Sequence, residues 1–474
     1  MKILFATSEA YPFAMSGGLA DVSGALPKAL VKRLVGCRVV MPLYESVPDE
    51  LRKEMKFLCS FTVPLSWRRQ YCGVFEAKLG RVTYYLLDNQ YYFKRAGLYG
   101  HYDDAERFAF FARAALELLR YIDYEPDVIH CNDWQTALLP VYKTLFYGNE
   151  EKFRRIKTLL TIHNIQYQGK YGEYILGDVF GIPESCKNIM NYDGAVNLLK
   201  GGIETADAVS TVSATYAKEI LTPEYSHGLH SILKERSYKL SGIVNGIDTE
   251  VYDPETDPQI AAHFSAEDMS GKAVCKSALQ EECSLPVRED VPVIAMVTRL
   301  VSHKGLDLVK YCIEKIVRDN DLQLVVLGSG DYEYESFFEE LKNRFPEKVS
   351  FTCGFIPALA HKIYAGSDIF LMPSKSEPCG LAQMIALRYG TVPVVRETGG
   401  LKDTIHDVSG ECGNGFTFAD YNGDLLAETL SRALSAYSDR EGFRKLSLDC
   451  IGCDSSWARS AGEYIKLYRS LTEG

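Results

Sequence analysis

Arg299 and Lys304 lie five residues apart, the first ending an apolar run and the second preceding a helical pattern. Two cations so placed can converge on one anion; as a surface ion pair they would contribute little. Further on, Pro373-Ser374-Lys375-Ser376-Glu377-Pro378-Cys379-Gly380-Leu381 puts a carboxylate and a glycine ahead of another helix. Glu397-Thr398-Gly399-Gly400-Leu401 adds a glycine pair in the same kind of position. The first half has its own pair in Met15-Ser16-Gly17-Gly18-Leu19-Ala20-Asp21-Val22. Glycine there lets a ligand approach the backbone, and the helix behind it presents free N–H groups suited to phosphate. A bare Gly-Gly equally makes a plain strand-to-helix turn, so the rest of the chain has to decide. Three polar clusters also follow apolar runs: His130-Cys131-Asn132-Asp133-Trp134, His163-Asn164 with Tyr167-Gln168-Gly169, and Asn245-Gly246-Ile247-Asp248. Singly, such residues are helix caps or turn formers. Together, beside a glycine turn, they describe a pocket.

The elements that must position these groups alternate. Lys2–Thr7, Gly36–Pro42, Arg81–Leu87, Asp127–Cys131, Lys157–Ile162 and Ala208–Val212 read as strands, with helices over 20–31, 105–121 and 193–206. Alternation implies a mostly parallel sheet covered on both faces, with ligands beyond the carboxyl ends of its strands. Most aromatics between Thr83 and Phe111 read as core; the remainder would offer sugar rings a stacking surface. Tyr252–Ile260, with two prolines among acidic residues, reads as a linker. A second alternating pattern follows, with strands at Val291–Thr298, Gln323–Leu327, Ser350–Cys353, Ile369–Met372 and Val392–Val395. Its helices fall at 306–317 and 334–344, and an apolar stripe predicts a last helix from about Ser456 to Leu471. The expectation is α/β: two doubly wound Rossmann-like domains facing across a cleft. Glycine pairs on both sides and cations on one fit a diphosphate held there.

Composition sets the boundaries. A chain of 474 residues is too long for one core. A net charge of −11 argues against nucleic acid and anionic membrane surfaces as partners. The N-terminal apolar run is broken by Glu9 with no cleavage pattern after it, and no apolar run reaches membrane-spanning length. Thirteen scattered cysteines suit a reducing, cytoplasmic setting. Cys450-x-x-Cys453 lacks partners for zinc. Asp319-Asn320-Asp321, the one Asp-x-Asp, reads as a polar turn, so no metal is expected.

As an ordered set these stretches resemble the bacterial glycogen synthase and plant starch synthase family. The matches run from Ser16-Gly17-Gly18-Leu19-Ala20-Asp21-Val22 through Asp133-Trp134, Thr161-Ile162-His163-Asn164 and Val244-Asn245-Gly246-Ile247-Asp248. They continue through Arg299 with Lys304-Gly305-Leu306-Asp307, Glu377-Pro378-Cys379-Gly380-Leu381 and Thr398-Gly399-Gly400-Leu401 to Ser456-Trp457. The resemblance implies GT-B architecture and retaining transfer of glucose from ADP-glucose to the non-reducing end of an α-1,4-glucan such as glycogen, without cofactor. It implies an acceptor-side domain, 1–248 joined by 457–474, and a nucleotide-sugar-binding domain, 249–456. It also implies that Asp21, Asp133, His163 and Asn164 surround sugar and acceptor. Arg299 and Lys304 would hold the diphosphate, and Glu377 would stand beside the transferred glucose. Met15, Gly17, Gly18, Asn245, Cys379, Gly380, Leu381, Thr398, Gly399 and Gly400 would line the substrates, with Phe355 on the nucleobase.

The chemistry agrees with that list. Breaking a sugar–phosphate bond builds negative charge on the leaving diphosphate, which fixed cations stabilise as a metal would. Carbonyl groups near His163, with a carboxylate, can face the developing sugar cation. Two alternatives stand beside this reading: a GT-B enzyme for another sugar nucleotide or acceptor, and a weakly catalytic glucan-binding homologue. The second is motivated by Met15, where the family has lysine; Lys170 and Lys375 are candidate substitutes for that charge. Retention of Arg299, Lys304 and Glu377 favours an enzyme.

Overall fold

The computed structural model describes residues 1–473. It forms two compact units: Met1–Asn245 together with the chain from Trp457 onward, and Gly246–Ser456.

The first unit is built on a nine-stranded sheet and a small three-stranded one. In chain order its strands are β1 (Lys2–Ala6), β2 (Gly36–Pro42), β3 (Lys56–Leu65), β4 (Arg68–Leu79), β5 (Val82–Asp88), β6 (Val128–Asn132) and β7 (Lys157–Ile162). After them come the short β8 (Lys170–Tyr171), β9 (Asn191–Tyr192) and β10 (Ala195–Asn197), then β11 (Ala208–Thr211) and β12 (Leu240–Gly242). The large sheet runs β12-β11-β7-β6-β1-β2-β5-β4-β3. Its strands are parallel as far as β5; β4 and β3 add an antiparallel hairpin. Ile3, Leu4, Phe5 and Ala6 are all buried, as a central parallel strand covered on both faces requires. Chain order reverses at β1, whose neighbours are β2 and β6, so the switch point lies there.

One helix expectation changes. The helix predicted over 193–206 begins only at Leu198; Ala195–Asn197 pairs antiparallel with both β8 and β9. Asn197 then caps the helix Leu198–Thr205 by accepting from the Lys200 N–H. The aromatic stretch is mostly core: Tyr84, Tyr85, Tyr92, Phe93, Phe108, Phe110 and Phe111 are buried, while Tyr91 and Tyr102 face solvent.

The helix Trp457–Thr472 belongs to the first unit and packs on the helix Gly18–Lys32. Its Tyr468 hydroxyl bonds His130 Nδ1 on β6 at 2.7 Å, and the other ring nitrogen meets Thr161 Oγ1 at 2.6 Å. Full burial holds this imidazole well below its ordinary pKa, so it stays neutral.

The second unit carries six parallel strands: β13 (Val293–Val297), β14 (Gln323–Gly328), β15 (Val349–Cys353), β16 (Ile369–Met372), β17 (Val392–Arg396) and β18 (Phe416–Phe418). Their order is β15-β14-β13-β16-β17-β18, with the switch between β13 and β16. Tyr252–Ile260 is not a free linker but is folded onto this unit. Asp257, buried, accepts from His361 Nδ1 at 2.7 Å and from the Tyr389 hydroxyl, and Asp253 accepts from Arg388 at 2.7 Å.

Candidate active site

In the first unit the loops after β1, β6 and β7 emerge side by side at one end of the sheet. Gly17 is extended, with φ −170°, and caps the helix that starts at Gly18. Met15, Ser16, Gly17, Gly18 and Asp21 are exposed there. Asp133, just past β6, has φ +58° and ψ −175°, a backbone region that glycine alone adopts freely. Its surroundings fix it. The Asp133 N–H donates to Thr161 O at 2.9 Å. Its carboxylate Oδ1 accepts from the N–H groups of His163, at 2.7 Å, and Asn164, at 3.4 Å. Desolvation outweighs these bonds and lifts the Asp133 carboxyl to about 7.

His163 Nε2 lies 2.9 Å from Asn132 Oδ1. The Asn132 amide group donates to Ala6 O at 3.0 Å, so its oxygen accepts and the proton sits on His163 Nε2. Desolvation holds this ring down to about 3, so it is neutral at working pH. Asn164 Oδ1 caps its own turn by accepting from Gln166 N at 3.0 Å. Asn245 is buried, and its Oδ1 has no protein partner among the described residues.

In the second unit the loops after β13, β16 and β17 interlock. Lys304 Nζ lies 2.6 Å from Glu377 Oε2, and Ser374 Oγ donates to the same oxygen at 3.1 Å. Glu377 is buried while Arg299 is exposed and makes no side-chain hydrogen bond or ion pair among the described residues. The structure thus joins one predicted cation to the predicted carboxylate and leaves the other cation open.

Glycine is obligatory at two contacts. A Cβ on Gly305, at φ +75°, would stand 2.0 Å from Pro373 O; one on Gly399, at φ +44°, would stand 1.9 Å from Glu377 O. These close approaches lock the Lys304 loop and the Thr398-Gly399-Gly400 turn onto the segment carrying Glu377, and Gly400 N–H donates to Glu377 O at 3.1 Å. Gly380, at φ +72°, and Leu381 lead into the helix Ala382–Arg388. Cys379 and Thr398 are buried beside them. Phe355 is 78% exposed in the loop after β15.

Of the two candidate substitute cations, Lys170 is exposed on β8, and Lys375 Nζ lies 5.6 Å over the Tyr421 ring. Asp319 and Asp321 are engaged elsewhere, the first with Arg318 at 2.9 Å and the second bidentately with Arg288.

Sequence reasoning missed two supporting residues. Glu9 is buried three residues beyond β1 and accepts from Ser16 N and Ser16 Oγ. Arg396, buried at the end of β17, donates to Lys375 O at 2.8 Å and braces the loop leading to Glu377. A charged residue at or within three residues of the carboxyl end of an apolar strand was the available signal for both.

Two doubly wound units, one with a cation–carboxylate pair between glycine turns at its switch point, define a glycosyltransferase of the GT-B architecture. The starch synthase catalytic domain family matches residues 2–235, and glycosyl transferases group 1 matches residues 280–447. The glycogen synthase of Clostridium perfringens is 48% identical over 99% of this chain and 98% of its own. That of Anoxybacillus flavithermus is 46% identical over 100% and 99%. Among solved structures, the catalytic domain of starch synthase IV from Arabidopsis thaliana, bound to ADP and acarbose, matches with TM-score 0.93 and 33% identity over 100% of this chain and 99% of that one. Sucrose-phosphate synthase from Thermosynechococcus elongatus, at TM-score 0.61 and 17% identity, shares the fold. The chain belongs to the glycogen and starch synthase family.

Proposed function

We propose that this glycosyltransferase moves glucose from ADP-glucose, with retention, to the non-reducing end of an α-1,4-glucan such as glycogen, releasing ADP. The observation that carries the reading is the Lys304–Glu377 pair beside the open Arg299. Without substrate, Glu377 keeps the Lys304 ammonium neutralised. A diphosphate offers both cations a stronger partner, and its charge grows as the glycosidic bond breaks. Glu377, released from Lys304, then faces the positive charge developing at the anomeric carbon. The backbone N–H groups of Gly380, Leu381, Thr398, Gly399 and Gly400 are donors for phosphate and sugar oxygens, and Cys379 lines the same segment. Phe355 is free to stack on the nucleobase.

On the acceptor side the reading uses Asp21, Asp133, Asn164, the Gly17-Gly18 turn and the buried Asn245 oxygen. The neutral His163 ring donates to Asn132, which leaves its backbone carbonyl to face the sugar. In this reading residues 1–248 with 457–474 form the acceptor-side domain, and 249–456 the nucleotide-sugar domain. No helix is long and apolar enough to cross a membrane among the described residues. A cytoplasmic enzyme that binds no nucleic acid is part of the reading; the charge of −11 and thirteen free cysteines support it. The test is nucleotide release with glycogen as acceptor, comparing ADP-, UDP- and GDP-glucose. Release of ADP at a rate far above the others is expected. A clear preference for another nucleotide, or no transfer to glucan, would overturn it.

A further inference from the structure

Thr7, Ser8 and Glu9 follow β1 directly, and all three are buried. Each is tied to a different part of the first unit. Thr7 Oγ1 donates to Glu9 O at 2.8 Å and lies 2.9 Å from Ser23 Oγ on the helix Gly18–Lys32. Ser8 Oγ meets the Tyr99 hydroxyl at 2.7 Å. Glu9 Oε2 takes two bonds from one residue, Ser16 N at 2.5 Å and Ser16 Oγ at 2.9 Å. Gly17 N–H and the Tyr99 hydroxyl also favour its charged form.

No lysine or arginine pairs with this carboxylate among the described residues. The Asp133 carboxylate of the site is repelled by it. Burial penalises the charged form, and only neutral donors compensate. On its outer side the turn is unsupported: a Cβ at Gly17 would meet nothing within 4 Å. Among the described residues, the side chain that ties Ser16 to the body of the unit is that of Glu9. A buried acid whose carboxylate holds the shape of an exposed glycine turn is placed to serve whatever the turn binds.

We infer that Glu9 is a positioning residue for glucosyl transfer: its carboxylate clamps Ser16 and so fixes the Gly17-Gly18 turn against the substrate. This rests on the reading that the turn contacts substrate. Glutamine keeps one acceptor oxygen for Ser16 N; alanine keeps none.

The experiment compares the parent, Glu9→Ala, Glu9→Gln, Ser16→Ala and the Glu9→Gln/Ser16→Ala pair. It reads melting temperature, kcat and KM for ADP-glucose with maltoheptaose, and amide exchange across residues 15–18. Glu9→Ala should lower kcat/KM roughly 10- to 100-fold, the usual loss for a group that orients another. Glu9→Gln should restore it to within about fivefold of the parent, and the pair should be no worse than its weaker single variant, because both changes act on one contact. Exchange at Ser16 and Gly17 should rise at least about tenfold in Glu9→Ala. A folded Glu9→Ala with kcat/KM within twofold of the parent overturns the proposal, as does a glutamine variant no better than alanine. If alanine does not fold, additive losses in the glutamine and serine variants overturn it. If the parent transfers nothing from ADP-glucose, the functional reading falls, while unchanged amide exchange in the Glu9 variants refutes the clamp by itself.

Discussion

Lys304→Ala leaves Glu377 buried beside a single hydroxyl donor. In the intact protein the ammonium sits 2.6 Å from the carboxylate of a side chain that is 8% exposed. Removing one partner of a buried pair costs about 3–5 kcal/mol, most of it from the charge left behind. The Lys304 side chain is 16% exposed, which admits some solvent and favours the lower end, about 3 kcal/mol. Spread over the roughly 210 residues of the unit Gly246–Ser456, that lowers its melting temperature by roughly 6–12 °C. Turnover falls for a separate reason, the loss of one fixed charge on the leaving diphosphate, on the order of 10²–10³-fold. Calorimetry and steady-state kinetics on the same preparations separate the two. Adding Glu377→Gln to Lys304→Ala removes the stranded charge, so it should recover about half of the lost stability and none of the turnover. A single variant melting within 2 °C of the parent refutes the buried pair. Near-normal turnover in Lys304→Ala refutes the diphosphate assignment.

Arg299→Ala should behave differently: the side chain is exposed and, among the described residues, unpaired, so kcat/KM drops on the order of 10²–10³-fold while melting moves by about 1 °C or less. Met15→Lys should change KM for ADP-glucose more than kcat; a parent without activity that the lysine switches on would mark Met15 as an inactivating residue. Activity should survive EDTA, because Arg299 and Lys304 supply the charge a metal would; loss on chelation, restored by magnesium, contradicts this. Asp133 is raised from an ordinary carboxylate pKa to about 7, so the folded state binds its proton more tightly than the unfolded chain. That contribution favours folding below about 4 and is lost as pH rises to 7. Asp133→Asn, whose amide oxygen still accepts from His163 N, should therefore gain on the parent in melting temperature between pH 5 and 8. An unchanged difference across that range rules out the shift.

The strand-to-helix rhythm was legible because buried parallel strands are continuous apolar runs. The hairpin β3–β4 was not: its tight turn passes through Ser66, at φ +55°, with no glycine or asparagine to announce it. The strand before Leu198 was hidden because Ala195-Val196-Asn197 continues a helical pattern, and its partners are two-residue strands made only by tertiary contact. Tyr252–Ile260 has a linker's composition, yet Asp257 finds its tyrosine and histidine partners more than a hundred residues away. In the site, residue types and spacing pointed to Lys304 and Glu377 separately. Their pairing depends on Gly305 and Gly399 allowing backbone contacts of a closeness that spacing does not reveal.

The helix Trp457–Thr472 also bears on the order in which the protein is made. Trp457, Ala461, Tyr464 and Tyr468 complete the core of a unit whose other residues end at Asn245. A ribosome adding about 5–20 residues per second needs roughly 10–40 s to cross the intervening stretch. Throughout that interval the nascent first unit exposes the apolar bed of the missing helix, and His130 lacks the Tyr468 hydroxyl that satisfies its buried ring. The second unit can close on itself meanwhile. Folding of the first is completed last although its strands are synthesised first, and this interval is when the growing chain most needs a chaperone.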